Sequence, residues 1–442
     1  MCLGNELKET YILKIEKSHI PLIAIIFFVM LNALYNSLSV AYGLNNFPYS
    51  TFLFYSNDLH ADLVKMAMGY WHNVHIDTSH WDPIYQKFYE LYHSGFFVKH
   101  HFNNNHLPPL PFLIGIFLGK ILQSSSPGLI VSVYYLIVFL TIFTIATYLK
   151  KNRHDFYILT IGMLLSYPVL MVLTRGNIFS FFTSFSIIAF LFLIYQKRFP
   201  WIAVLLLSFA IEFRPNIALL SILFFVYPYK SALRYIVASA VVSLGSFFIL
   251  TAISHTICPQ YSLESFIAGL HNYINIYITG NMGVLFNNSL YGAIRSLSIA
   301  WHIPISTTSL LSINTIIAIT GILSLFIILY LYLQKKINTY EFIFFTVSIT
   351  TLSTTIFATY HLTIFLFFVL IGFKKNSYEL SKYYNLIVFT TIFLLVPKNY
   401  IFFDFIYKDF LSAETILNPV VLLLSSIVLL MQISKEYKYA KK

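Results

Sequence analysis

Long apolar runs separated by short polar breaks recur along the whole chain. A membrane-crossing helix needs about 20 mostly apolar residues, with a range of roughly 17–25. On that measure the pattern predicts twelve spans, at 20–42, 128–149, 155–173, 178–195, 199–213, 215–229, 234–254, 308–334, 341–357, 361–373, 384–397 and 416–433. Two longer polar stretches interrupt the series, 43–107 after the first span and 255–306 after the seventh. No internal repeat, low-complexity stretch or soluble domain stands out, so residues 1–442 read as one transmembrane domain.

One further apolar run, 108–122, decides the topology. Counted as a span, it puts Lys150, Lys151 and Arg153 on the side opposite the N-terminus. Read as an interfacial or re-entrant helix, it brings the N-terminal tail, the loops at 150–154, 196–198, 230–234, 334–336 and 374–382, and the C-terminal tail onto one side. That side then holds 19 of the 28 Lys and Arg residues. The excess of positive charge marks the cytoplasmic face. Both termini are therefore expected in the cytoplasm, and 43–127, 255–306 and 398–415 face outward. The first apolar stretch lacks a small-residue cleavage site and reads as an uncleaved anchor.

Composition agrees with the pattern. The chain is 58% hydrophobic and 10% charged, with a mean hydropathy of +0.74, whereas soluble domains carry roughly 25% charged residues. Aromatic residues make up 18%, which suits interfacial belts. The net charge of +11 would suggest nucleic acid in a soluble protein; here the cations lie in short loops and act as topology signals, so no nucleic-acid partner is expected. Cys2 and Cys258 form no CxxC pair or disulfide framework.

A few polar groups stand out against this background. Asp58 and Asp62 lie four apart in the first outer loop, on one face of any helix there. Leu59, Leu63, Met66 and Tyr70 give that helix an apolar stripe for the membrane surface. By position alone the two carboxylates read as solvated. Arg175 and Arg214 sit in short polar breaks between spans, where a charge is costly and tends to be paired or functional. Each suits a bidentate phosphate contact; each could also snorkel to head groups, or Arg214 pair with Glu212. Asn287, Asn288 and Ser289 carry amide and hydroxyl groups of the kind that read sugar hydroxyls, or that cap helices. Eight of fourteen histidines lie between 60 and 106. With nearby Asp residues they leave room for a divalent cation, but no spacing motif is present and no metal site is assigned. P-loop, GxGxxG and GxSxG signatures are absent.

Four segments together carry a resemblance. Asp58 follows the first span in an outer loop; HLPPLPFLIGIFLGKIL occupies 106–122; TRGNIFSFFTSFSIIAFLFL occupies 174–193; FNNSLYGAIRSL occupies 286–297. In this order they resemble the GT-C class of membrane glycosyltransferases, most closely glycosyltransferase family 87, the polyprenol-phosphate-mannose-dependent mannosyltransferases. The likeness covers roughly residues 20–300. Asp58 is followed by LHAD where the family has an aromatic-rich continuation, which keeps Asp62 as a rival. Asn177 and Asn288 stand where the family often has Gln, so the sugar is not fixed.

The resemblance implies an all-α GT-C-like bundle whose outer first loop carries juxtamembrane helices. It also implies a bacterial plasma-membrane enzyme with its site facing outward. The implied donor is a polyprenyl-phosphate sugar, and the acceptor a glycan, lipid or protein hydroxyl. Asp58, or Asp62, would be the general base, Arg175 or Arg214 would hold the phosphate, and Asn177, Asn287, Asn288, Tyr360 and His361 would order sugar or acceptor hydroxyls. A single inverting displacement follows. A carrier of lipid-linked sugars and a polysaccharide polymerase are the competing readings.

Overall fold

The computed structural model describes residues 16–41, 62–63, 86, 107–124, 126–280, 284, 287–375, 377–398, 402–403 and 411–440. Over these the chain is helical almost throughout. In order come α1 (Ile20–Ala41), α2 (Pro109–Ser124), α3 (Pro127–Leu149), α4 (Arg153–Leu165), α5 (Tyr167–Arg175), α6 (Ile178–Gln196) and α7 (Pro200–Phe213). A 3₁₀ helix, Pro215–Val226, leads into α8 (Tyr229–Ile257), α9 (Leu263–Tyr273), α10 (Leu290–Ala300), α11 (Thr307–Leu333) and α12 (Thr339–Ser353). A second 3₁₀ helix, Thr359–Phe365, continues into α13 (Leu366–Leu370). Then follow α14 (Ser377–Leu380), α15 (Tyr384–Leu395) and α16 (Glu414–Ala440). A two-residue antiparallel pairing joins Phe402–Phe403 to Leu411–Ser412.

Five described helices, α3, α6, α8, α11 and α16, are long and apolar enough to cross a bilayer, and the bent pair α4–α5 makes a sixth. The apolar segments at 199–213, 215–229, 361–373 and 384–397 are helical too, but short. A 14-residue helix reaches about 21 Å against a hydrocarbon core of roughly 30 Å. Hydropathy therefore marks all twelve segments, whereas length and composition single out five or six.

The apolar faces show which solvent the bundle needs. On α8, Val237, Val241, Leu244 and Phe248 form an exposed row at helical spacing; on α11, Ile316, Ile319, Leu323 and Phe326 do the same. Val241 is 64% exposed and Phe326 61%. Rows of this length facing water would exceed the apolar patches of soluble proteins, but they match lipid. This is an integral membrane protein.

The interior is built around α6, α12 and the segment Thr359–Phe373, which are buried along nearly their whole length. Phe192 of α6 meets Phe367 edge-on at 5.1 Å between ring centroids. Tyr134 of α3 donates to the carbonyl of Val172 at 2.8 Å, tying α3 to α5. His19, just before α1, bonds Asp155 of α4 at 2.7 Å. The proline-rich α2 packs on α3, α7 and α8, and its start is held by Tyr261, whose hydroxyl donates to the Leu107 carbonyl at 2.8 Å.

Candidate functional site

The polar break between α5 and α6 is built from three consecutive residues with different tasks. Arg175 ends α5. Gly176 takes φ 66°, the left-handed conformation that lets the chain reverse without a Cβ clash. Asn177 caps α6, its Oδ1 accepting from the Ser180 N–H at 2.9 Å. Both flanking side chains then converge on Asp62 of the first loop. Arg175 donates from Nε to Asp62 Oδ2 at 3.0 Å and from Nη2 to Oδ1 at 2.7 Å. Asn177 donates from Nδ2 to Oδ2 at 2.9 Å. Asp62 and Arg175 are 16% and 19% exposed, so the pair sits at the margin of the bundle rather than in its core.

Arg214 fills the second break. Pro215 restricts the residue before it to extended backbone, and Arg214 accordingly has φ −148° and ψ 95°. That conformation ends α7 and separates the two neighbouring charges. Glu212 turns to the Ser246 hydroxyl, which donates to it, so the pairing of Glu212 with Arg214 considered from sequence is not made. Among the described residues Arg214 has no ion-pair partner. Its guanidinium carbon lies 6.0 Å from the centre of the Tyr360 ring, within cation–π range. Tyr360 in turn packs edge-on against His361 at 4.6 Å. His361 is buried, and its Nε2 has no hydrogen-bond partner among the described residues. Tyr273 of α9 completes this side; burial pushes its hydroxyl up to about 12, with the Arg214 charge acting in the opposite direction.

The two groups share one end of the bundle. α5 packs along Thr359–Phe365, with Tyr360 against the buried pair Tyr167 and Met171. Phe179, two residues after Asn177, meets Phe213, one residue before Arg214, at 5.6 Å. Asp62, Arg175 and Asn177 are thus joined by packing to Arg214, Tyr360 and His361.

No family model, curated protein or solved structure matches the chain.

Asn287 and Asn288 have buried amides engaged with protein. Asn287 Oδ1 accepts from the N–H groups of Phe357 at 2.9 Å and Ser289 at 3.1 Å, and its Nδ2 donates to the Thr355 carbonyl at 2.9 Å. This latch fastens the start of α10 to the strand-like segment before Tyr360. Asn288 belongs to a buried polar chain: Asn418 Nδ2 donates to Asn288 Oδ1 at 2.7 Å, Asn288 Nδ2 to Thr359 Oγ1 at 2.9 Å, and Thr359 to Glu414 Oε1 at 2.7 Å. Glu414 and Asn418 stand one turn apart on α16, so the chain leaves that helix and returns to it. Lys398 is buried close to Glu414 and donates to the carbonyls of Phe393 and, at 2.7 Å, Val396. Burial pulls its ammonium down to about 7, against the opposing pull of the Glu414 charge.

Sequence reasoning missed Thr359, Lys398, Glu414 and Asn418. The available signal was a lysine and a glutamate at the facing ends of the last two apolar segments. Asp58 and the histidines between 60 and 106 lie outside the described residues. Among the described residues no three His, Cys, Asp or Glu side chains gather as a metal site would require.

Proposed function

We propose that the chain is a GT-C membrane glycosyltransferase, most like family 87, with twelve membrane-spanning segments, cytoplasmic termini and an outward-facing site. It transfers a hexose, mannose by the resemblance, from a polyprenyl-phosphate donor to an acceptor hydroxyl with inversion. The observation that carries this reading is the cluster of Asp62, Arg175 and Asn177 beside Arg214, Tyr360 and His361. A carboxylate, two guanidiniums and an aromatic wall meet there at one margin of a lipid-facing bundle.

The residues divide the work as follows. Both oxygens of Asp62 already accept hydrogen bonds, which suits it to orienting Arg175 more than to receiving a proton. Asp58, four positions before Asp62 in the sequence, is then the general base. It takes the proton of the acceptor hydroxyl as that oxygen bonds to the anomeric carbon. The bond from that carbon to the phosphate oxygen breaks, and polyprenyl phosphate leaves with the electron pair. Negative charge grows on the phosphate during this step. Arg214, without a carboxylate partner among the described residues, stabilises that charge more strongly in the transition state than in the bound donor. Tyr360 and His361 line the sugar side.

A second reading has an observation of its own. The α4–α5 pair bends by 60° at Ser166, and 3₁₀ helices follow the breaks at Arg214 and Ala358. Broken helices of this kind line substrate paths in carriers, so transport of a lipid-linked sugar is the alternative. One experiment separates them: purified protein given radiolabelled polyprenyl-phosphate monosaccharides and acceptor. A new glycosidic product supports the transferase, and donor movement across proteoliposomes without product supports the carrier.

A further inference from the structure

The opposite end of the bundle holds a cavity of about 580 Å³ that plays no part in the chemistry above. α6 fixes the separation, since Asn177 precedes its first residue and Gln196 is its last. Eighteen steps of 1.5 Å put the two ends roughly 27 Å apart. Tyr148 at the end of α3, Gln196, Thr339 at the start of α12, and the cations Arg198, Lys374 and Lys375 line the cavity.

The chain is folded to hold those cations at the rim. Lys197 and Phe199 both take positive φ, 53° and 48°, so the backbone turns sharply on either side of Arg198. Gln196 donates to the Tyr148 hydroxyl at 3.1 Å, which sets the ring over which the Lys374 ammonium sits at 4.4 Å. Among the described residues the single carboxylate lining the cavity, Glu379, lies 3.8 Å from Lys375. Among the described residues neither Arg198 nor Lys374 has an ion-pair partner. Two positive charges are left facing the cavity, together with hydroxyl and amide donors. That is a phosphate-binding set, with a planar fork in Arg198 and a compact point charge in Lys374.

The outer wall says what the phosphate is attached to. Tyr148 is 54% exposed and borders the exposed side of α3, on which Leu136, Leu140 and Phe143 also lie. This face runs from the cavity along the membrane-crossing length of the helix. We propose that the cavity binds the phosphate head group of an anionic membrane phospholipid whose acyl chains lie along the exposed face of α3. Basic pockets between helices at a membrane surface take such head groups. The site is separate from the proposed donor site and belongs to the other leaflet.

The test uses full-length protein purified in mild detergent, titrated with dioleoyl phosphatidylglycerol and, separately, dioleoyl phosphatidylcholine, with bound lipid read by native mass spectrometry. Phosphatidylglycerol is expected to bind about tenfold more tightly than phosphatidylcholine. The variant R198Q/K374Q should lose roughly thirtyfold in phosphatidylglycerol affinity, with phosphatidylcholine unchanged. K374Q alone, at an exposed position, should lose about fivefold and gives an answer if the double variant folds poorly. K336Q, a cation at the same end outside the cavity, should change nothing. Wild-type affinity in K374Q and R198Q/K374Q, or an equal loss in K336Q, overturns the proposal. Displacement of the lipid by millimolar glycerol 1-phosphate also overturns it, because the site would then serve a soluble phosphate.

Discussion

Arg175 and Asp62 stand 113 positions apart and meet through two hydrogen bonds, at 3.0 and 2.7 Å, one to each carboxylate oxygen. The contact fastens the first loop to the end of α5, with Asn177 adding a third bond at 2.9 Å. A guanidinium held this way has a fixed plane and cannot follow a mobile ligand. The pair is therefore as much a clasp as a charge centre.

A clasp predicts coupling. Asp62→Asn and Arg175→Gln should each lower Tm, and the double variant should be little worse than either. The coupling energy expected for a contacting pair is about 0.5–3 kcal/mol; partial exposure puts this one towards the lower end. Thermal melts of the four proteins in one detergent measure it. Additive losses would mean that the two side chains do not hold each other.

Activity should divide along different lines. Asp58→Asn is expected to abolish transfer with Tm unchanged, since it removes the base. Asp62→Asn should leave residual transfer, because Arg175 is loosened and the base kept. Arg214→Gln should cut kcat/KM by about 10- to 100-fold, equal to roughly 1.4–2.7 kcal/mol of transition-state stabilisation. Arg214 has no ion pair among the described residues, so its Tm should hold. Full transfer in Asp58→Asn together with none in Asp62→Asn would exchange the two roles.

The bundle was legible in the sequence because lipid leaves one option for long apolar runs, namely helix with every backbone group paired internally. The twelve segments marked by hydropathy are helical for that reason. Their lengths were less legible, because a buried 3₁₀ stretch such as Pro215–Val226 is as apolar as a spanning helix. Of the site, Arg175 and Asn177 could be singled out because a charge and an amide in a three-residue break have few other uses. What sequence spacing could not supply was their common target. Asp62 lies 113 positions before Arg175, with α2, α3 and α4 between them, and no local pattern encodes that meeting. Asn287 and Asn288 show the opposite limit. Their composition suits sugar recognition, but their amides hold the fold, and only tertiary contacts distinguish the two uses. The chain from Asn418 through Asn288 and Thr359 to Glu414 was invisible for the same reason, being assembled from three distant segments.

The Asn287 latch makes a stability prediction at a glycine. A Cβ on Gly292 would come within 2.6 Å of Asn287 Cγ and 2.8 Å of its backbone oxygen. The backbone atom cannot swing away, so Gly292→Ala must displace the turn. A loss of about 1–3 kcal/mol is expected, similar to other overpacked sites. Asn287→Ala should cost a comparable amount by taking the acceptor from the N–H groups of Phe357 and Ser289, while the Thr355 carbonyl keeps the Ser289 hydroxyl. Combining them should not restore Tm, because the clash with the backbone oxygen remains. Melting curves for the three variants test this, and recovery in the double variant would refute the geometry.

Lys398 gives the pH dependence its sign. Burial lowers its pKa to about 7, from an unfolded value near ~10.4. Between those values the unfolded chain carries the proton and the folded chain does not. Stability therefore rises with pH across this window, by at most about 1.4 kcal/mol per unit. Below pH 7 both states are charged, and the cost of burying the ammonium is present in full. Lys398→Met removes the titrating group, although it also takes a counter-charge from Glu414, so its absolute Tm can move either way. The discriminating quantity is the difference between wild type and variant as a function of pH, in which groups remote from Lys398 cancel; Glu414 does not, because the Lys398 charge holds its raised pKa down, and its change in the variant acts in the same direction. That difference should shift in favour of the wild type from pH 7 to pH 10. A flat difference throughout would mean that Lys398 keeps an ordinary pKa and is not held in a dry interior.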